Sequence, residues 1–175
     1  MDPLQRLLDE ARRDQAVEAR AHEHWLRRAA HEGATFTGAL VDLAESGQSV
    51  SVRIASGHVH HGHVVAVGTD FCAVETDGGV TIYINLAALG EVRLDSGTPP
   101  AGNRGPSVDM TLAEALSRLA GDRPRVAAVT MGLDTPISGE LCAVGTDVIT
   151  VQLEGGRLAL VAVAALTQLS VFASG

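Results

Sequence analysis

Four histidines lie within six residues of this chain, in the segment that runs from His58 to His63. Imidazole is a common ligand for zinc and related metals, so this segment has the clearest capacity for chemistry. On an extended strand, His58 and His60 point to one side, and His61 and His63 point to the other. Neither pair has a third ligand close to it in the sequence. We therefore expect an exposed polar strand face and no bound metal, with a pH-responsive contact as an alternative.

The cysteines and the repeated aspartates do not indicate catalysis. Cys72 and Cys142 each lie in an apolar run, where a free cysteine behaves as a small buried hydrophobic residue, and a structural disulfide is not expected. Asp70 and Asp147 each end a Gly-Thr-Asp sequence, which predicts a turn whose carboxylate accepts backbone N–H bonds. No Walker-type phosphate loop, nucleophile elbow or Cys-x-x-Cys motif is present. The sequence therefore predicts no enzyme, no catalytic residue and no cofactor.

An internal repeat organises the elements that would hold these residues. Residues 62–94 recur, without a gap, as residues 139–171, and 12 of the 33 positions are identical at a spacing of 77 residues. The identities include the whole of Ala-Val-Gly-Thr-Asp (66–70 and 143–147) and a Gly-Gly turn. A repeat of this kind predicts two copies of one structural unit.

Each copy has the periodicity of short antiparallel strands. Val50, Val52 and Ile54 alternate with polar residues, as half-buried strands require. Gly-containing pairs at residues 56–57 and 77–78 are typical of tight hairpins. About five such strands are stable in water when they curl or are covered, so we expect each copy to close into a small barrel.

A long helix is predicted before the first copy. Asp2 followed by Pro3 is typical of a helix start, and Gly33 after Glu32 is typical of a helix stop. The apolar stripe of this helix is interrupted. The helix either packs along the barrels or pairs with a second subunit or partner, in which case Trp25 and Leu26 are the candidate interaction residues.

A shorter helix is predicted to lead each barrel. In the second copy, the helix begins with the capping-box pattern of Thr111 and Glu114 and ends at Gly121. Its counterpart in the first copy covers residues 37–45 and ends at Gly47. The predicted organisation is an N-terminal helix (1–33), a first barrel with its helix (34–94), a flexible Pro- and Gly-rich linker (95–109) and a second barrel with its helix (110–175).

The first copy resembles the Sm-like (LSm/Hfq) domain family. Residues 50–74 are similar to the first Sm half, in which a strand and a small-residue turn lead to a strand with an inner glycine, here Gly62, before Asp70 and Phe71 at the next bend. Residues 82–89 stand for the second half. The resemblance implies Sm-like barrels, so together with the predicted N-terminal helix we expect a mainly β fold with helices (α+β), in which a long N-terminal helix precedes two tandem five-stranded Sm-like or SH3-like antiparallel barrels. SH3-like and PRC-type barrels share these features and remain alternatives.

Charge and motif positions separate this chain from RNA-binding members of that family. Where Sm and Hfq sequences place an Arg-Gly or Tyr-Lys-His group, residues 84–87 read Ile-Asn-Leu-Ala and residues 161–164 read Val-Ala-Val-Ala. The formal net charge is −8. An acidic surface repels phosphate, on which affinity for nucleic acids largely depends. Nonspecific nucleic-acid binding is therefore disfavoured.

These observations predict a non-enzymatic protein-interaction or assembly module that binds a protein partner or its own copies as a homo-oligomer. The alternative is an Sm-like RNA-binding or regulatory protein. No apolar run reaches the roughly 20 residues of a membrane span and no signal peptide is evident, so we expect a cytoplasmic protein without membrane insertion. The alternative requires one contiguous patch of arginines, formed by Arg53, Arg93, Arg104, Arg118, Arg123, Arg125 and Arg157.

Overall fold

A single antiparallel sheet of ten strands contains most of the described chain. The structure is a computed structural model that describes residues 12, 15–26, 28 and 33–172. The first five strands are β1 (Ser49–Ile54), β2 (Val59–Val67), β3 (Phe71–Thr76), β4 (Thr81–Asn85) and β5 (Leu89–Leu94). The second five are β6 (Arg125–Thr130), β7 (Leu133–Val144), β8 (Val148–Gln152), β9 (Leu158–Ala162) and β10 (Leu166–Phe172). Their order across the sheet is β5-β1-β2-β3-β4-β10-β6-β7-β8-β9.

The prediction of a long N-terminal helix followed by two closed five-stranded barrels is wrong. Closure of the first half would require its last two strands, β4 and β5, to meet. Instead, β5 pairs with β1, and β4 pairs with β10 from the second half. The two halves are thereby joined into one open sheet with β5 and β9 at its edges. The predicted antiparallel, strand-rich character is confirmed, and the alternating burial of β1 follows the predicted pattern.

Within the described residues, three α-helical segments and a few short 3-10 helices accompany the sheet. The described N-terminal residues 12, 15–26 and 28 are helical and form α1, whereas the predicted start at Asp2 and Pro3 lies outside the described residues. None of the described helices has the length and apolar character needed to cross a bilayer. Helix α2 (Phe36–Ser46) is capped by Thr35, two residues before the predicted start, and ends at Gly47 with φ 61°. Helix α3 (Leu112–Ala120) begins with the predicted capping box.

Two apolar clusters form the interior. The first lies within the first half, between α2 and the inner faces of the strands, and its residues include Leu40, Leu43, Val50, Val52, Ile54, Val64, Val74 and Ile84. The second lies around α3, and its residues include Leu112, Leu116, Val126, Leu141, Ile149 and Leu169. Phe71 and Ala73, from β3 of the first half, also belong to the second cluster. The halves therefore share packing as well as strand pairing.

The segment predicted as a linker, residues 95–109, contacts both α2 and the sheet. The Gly102 N–H donates to Asp42 Oδ2 at 2.8 Å, and the Gly102 carbonyl accepts from the Thr35 N–H at 2.7 Å. Farther along, the N–H groups of Ser107 and Val108 donate to the carbonyl of Val67 at 2.9 and 3.1 Å. These bonds set the position from which α3 begins.

Candidate assembly interface

Strands β4 and β10 form the junction between the two halves of the chain. Leu169 lies opposite Tyr83 and Val171 lies opposite Thr81 in this antiparallel pair. The side chains of Phe71 and Tyr83, with ring centroids 5.9 Å apart, pack in the second cluster near α3. The junction thus combines a strand ladder with an apolar face on which the helix of the second half lies.

A carboxylate from the first half binds the start of α3. Asp70 Oδ1 accepts the Leu112 N–H at 2.6 Å, and the Thr69 N–H donates to the Met110 carbonyl at 2.9 Å. The first N–H groups of a helix have no partner within the helix, and the helix dipole favours a negative charge at this end. The Gly-Thr-Asp sequence predicted that the Asp70 carboxylate accepts a backbone N–H bond. It did not indicate that the donor would be Leu112, at the start of a helix in the other half of the chain.

One histidine of the His58–His63 segment also reaches across the junction. The ring Nε2 of His60 lies 2.7 Å from Gln168 Oε1 on β10, and the Gln168 side chain is buried. The His58 ring stacks on that of His60, with a centroid distance of 6.4 Å, and lies 2.9 Å from Ser56 Oγ. His61 and His63 are exposed. Within the described residues, no group of three or more His, Cys, Asp or Glu side chains is arranged to hold a metal.

The position of His60 gives an expected pH dependence. Burial lowers the pKa of His60 from its usual 6.5, and the charges of His58 and His61 lower it further, whereas the hydrogen bond to Gln168 opposes this change. The unfolded chain therefore binds a proton before the folded chain does, and stability is lost as the pH falls below about 6.5. We expect the free energy of unfolding, measured by urea denaturation, to be lower at pH 5.5 than at pH 7.5.

A His60→Gln variant should lose part of this dependence, because the amide can hydrogen bond but does not titrate. His63→Gln, at an exposed position of the same strand, is the matched control and should retain the wild-type dependence. An unchanged pH dependence in His60→Gln would assign the effect to other groups.

The edge strand β9 exposes apolar side chains and backbone groups. Leu158 and Leu160, on β9, are 64% and 74% exposed. The Leu153 N–H donates to the Arg157 carbonyl at 2.7 Å, so these two residues form a hydrogen-bonded pair at the end of the ladder between β8 and β9. The next pair along the ladder, Gln152 with Leu158, is therefore a non-hydrogen-bonded pair. In such a ladder, every second residue directs its N–H and C=O away from its partner strand. The backbone groups of Leu158 and Leu160 therefore face the open edge.

The residues predicted to mediate association lie elsewhere. Trp25 and Leu26 are on α1, 63% and 49% exposed, and neither belongs to the two apolar clusters. The Trp25 ring stacks on His22 with a centroid distance of 6.2 Å. Their role in association stays a prediction.

Four of the seven arginines considered for a nucleic-acid patch form ion pairs with carboxylates. Arg53 and Arg93 both bind Glu91, at 3.2 and 2.6 Å. Arg104, in the segment before α3, pairs with two acids of α2, Asp42 at 3.4 Å and Glu45. In the second half, Arg123 lies 3.4 Å from Glu140. Arg104 and Arg123 are thus each paired with acids, whereas Arg53 and Arg93 share the one carboxylate of Glu91.

The two cysteines differ in their surroundings. Cys72 is buried in the first apolar cluster, where loss of hydration raises the pKa of its thiol to about 12. Cys142 is half-buried, and its Sγ lies 3.4 Å from the Arg123 guanidinium. The Cys72 thiol is thus unreactive at neutral pH, since the thiolate is the nucleophile.

Sequence reasoning missed the residues that build the junction, namely Tyr83, Leu112 and Gln168. The repeat was the one signal in the sequence that could have indicated the junction. Asp70 and Asp147 are identical in the two copies, and Asp70 lies at the contact between the halves. No protein-family model matches this chain, and comparison with curated proteins finds no relative. The resemblance to Sm-like domains stays a prediction.

Proposed function

We propose that this protein is a non-enzymatic assembly module of the cytoplasm that binds protein strands at the free edges of its sheet. The observation that carries the proposal is the edge strand β9, on which Leu158 and Leu160 are exposed next to unpaired backbone groups. An edge of this kind is a template for another strand. Many proteins protect such edges with lysine, proline or a covering helix.

The composition of β9 supports binding over protection. Its sequence is Leu-Ala-Leu-Val-Ala, with no charged residue and no proline. Pairing with another strand would bury apolar surface of Leu158 and Leu160. Burial of apolar surface contributes a favourable free energy of roughly 25 cal/mol per Å². Strand addition at this edge is therefore favoured by both backbone hydrogen bonds and apolar contact.

The charge distribution favours protein over RNA as the ligand. The net charge is −8, and Arg53, Arg93, Arg104 and Arg123 are engaged with acidic side chains. Phosphate contacts would have to replace these ion pairs. We expect uridine-rich and adenine-rich RNA to bind no more tightly than about 10⁻⁴ M, the weak end of nonspecific affinity.

The test compares association of the full chain with that of an edge variant. Sedimentation across a concentration series should give a mass above the 18.1 kDa of one chain. Leu160→Lys should shift the distribution to the monomer, because a lysine on an edge strand opposes pairing. Met131→Lys is the matched control, since Met131 is 66% exposed but lies in the turn between β6 and β7.

Fluorescence anisotropy with labelled short RNAs at physiological salt completes the test. The proposal fails if the chain is monomeric at every concentration. It also fails if RNA binding is saturable and submicromolar, which would support the RNA-binding alternative.

A further inference from the structure

We propose that the strand bound at β9 is β5 of a second copy of this chain, joined head to tail in the geometry of the internal junction. This inference rests on the proposed function and names its partner. Strand β9 is the repeat counterpart of β4, and β5 is the counterpart of β10. The chain already joins β4 to β10 internally. The two open edges, β9 and β5, are therefore the repeat counterparts of the two strands that already pair with each other inside the chain.

The register follows from the 77-residue spacing of the repeat. The internal pairs are Leu169 with Tyr83 and Val171 with Thr81. The corresponding pairs between two chains are Val92 with Leu160 and Leu94 with Leu158. All four of these side chains are apolar, so the register matches apolar residues across the new ladder.

The backbone groups of β5 also have the required direction. The Asp95 N–H donates to the Ser49 carbonyl at 3.4 Å, and the ladder of β1 and β5 continues with Ser51 opposite Arg93. Alternation along an antiparallel pair then directs the N–H and C=O of Val92 and Leu94 toward the open edge. These are the residues that the register places opposite the outward-facing groups of β9.

Helix α2 offers the counterpart of the α3 contact. Phe36 and Leu112 are each the first helical residue after a capping threonine. Leu112 is 1% exposed at the internal junction, whereas Phe36 is 49% exposed. The large exposed side chains Phe36, Leu158 and Leu160 thus occupy the positions that the junction covers in the other copy. Gly102 does not hinder this contact, because it lies against Gly38, which is about half a helical turn from Phe36.

Asp147 is placed to cap α2 of the neighbouring chain. Its counterpart Asp70 accepts the Leu112 N–H at 2.6 Å. Asp147 is exposed, and the Phe36 N–H meets no acceptor among the described residues. Docking in the junction geometry would bring this carboxylate to that N–H. The docking explains why both copies contain the aspartate although only one copy uses it within the chain.

One polar contact of the internal junction has no counterpart between chains. Ile137 stands at the counterpart of His60, and Glu91 stands at the counterpart of Gln168. Glu91 is instead held by Arg53 and Arg93. The hydrogen bond between His60 and Gln168 is therefore not repeated between chains. Because the two surfaces are different, the contact is heterologous and generates a ring or a filament.

Cysteine cross-linking tests the orientation. One full chain carries Val92→Cys and another carries Leu160→Cys, each with Cys142→Ser to remove the half-buried native thiol. Directly opposed residues of an antiparallel pair lie within disulfide reach. We expect mild oxidation to join the two variants when they are mixed, and to leave each variant alone without cross-links. Cross-links within either variant alone, or the lack of a cross-link between the two variants in the mixture, would overturn the head-to-tail arrangement.

A substitution of the capping residue tests the helix contact. Asp147→Ala should weaken association about tenfold, as expected for loss of a helix cap. Asp77→Ala, in an exposed hairpin of the first half, is the control and should leave association unchanged. If association persists unaltered in Asp147→Ala, this inference fails while the proposed function stands. If the unmodified chain is monomeric, both fail.

Discussion

Alanine in place of Gly62 is expected to lower the free energy of unfolding by about 2–3 kcal/mol, as overpacking of a closely packed site does. A Cβ atom at this position would overlap the carbonyl oxygen of Glu75 on β3. That carbonyl belongs to the backbone of a central strand, which pairs with β2 on one side and β4 on the other. It cannot rotate away as the end of a side chain could. The strands must separate locally to admit the methyl group.

The second copy provides an independent repetition of this experiment. Gly139 is the counterpart of Gly62, and a Cβ there would overlap the carbonyl of Gln152. We expect Gly139→Ala to be destabilising to a similar extent. Gly105→Ala is the control, because nothing lies within 4 Å of its Cβ position. Urea denaturation followed by circular dichroism measures all three variants. Equal stability of Gly62→Ala and Gly105→Ala would contradict the steric argument.

Leu116→Ala is expected to lower the free energy of unfolding by about 2–5 kcal/mol, the range for a leucine deleted from a core. Leu116 lies on α3 with 0% exposure, in the cluster that contains Phe71 and Ala73 of the first half. Removal of its side chain leaves a cavity near the junction, so both halves should lose stability together. Leu133→Ala is the control, because Leu133 is 58% exposed and should have an effect below about 0.5 kcal/mol.

Leu40→Ala, on α2 of the first half, tests whether the sheet unfolds as one unit. Leu40 is 1% exposed in the first cluster. We expect Leu40→Ala and Leu116→Ala each to shift one common transition to lower urea concentration, because the two halves share strand pairing and apolar packing. Two separate transitions, with each variant affecting only one, would show that the halves unfold independently.

The features that the sequence predicted correctly depend on neighbours within a few residues. The alternation of Val50, Val52 and Ile54 set the buried side of β1, since side chains alternate along any strand. The capping box of Thr111 and Glu114 formed as predicted because both partners lie in one helical turn. Gly47 ended α2 for a similar local reason, its left-handed backbone conformation.

The closed barrels were predicted wrongly because strand periodicity does not specify the partner of a strand. The same alternating residues of β4 could satisfy their hydrogen bonds with β5 or with a strand of the other half. In the structure the partner is β10, and the sheet stays open. Apolar packing between Phe71, Tyr83 and the cluster around α3 accompanies this pairing, and it involves residues remote in the sequence.

The amino-acid sequence alone determined the repeat, the strand segments, the start of α3 and the end of α2. Only the tertiary structure separated the two identical aspartates, because Asp70 meets the N-terminus of α3 and Asp147 meets solvent. It also placed His60 against Gln168, 108 residues away. A repeat gives two copies the same local preferences, but in a head-to-tail pair each copy presents a different side to the other. The environments of equivalent residues therefore differ, and the unpaired sides become the candidate interface.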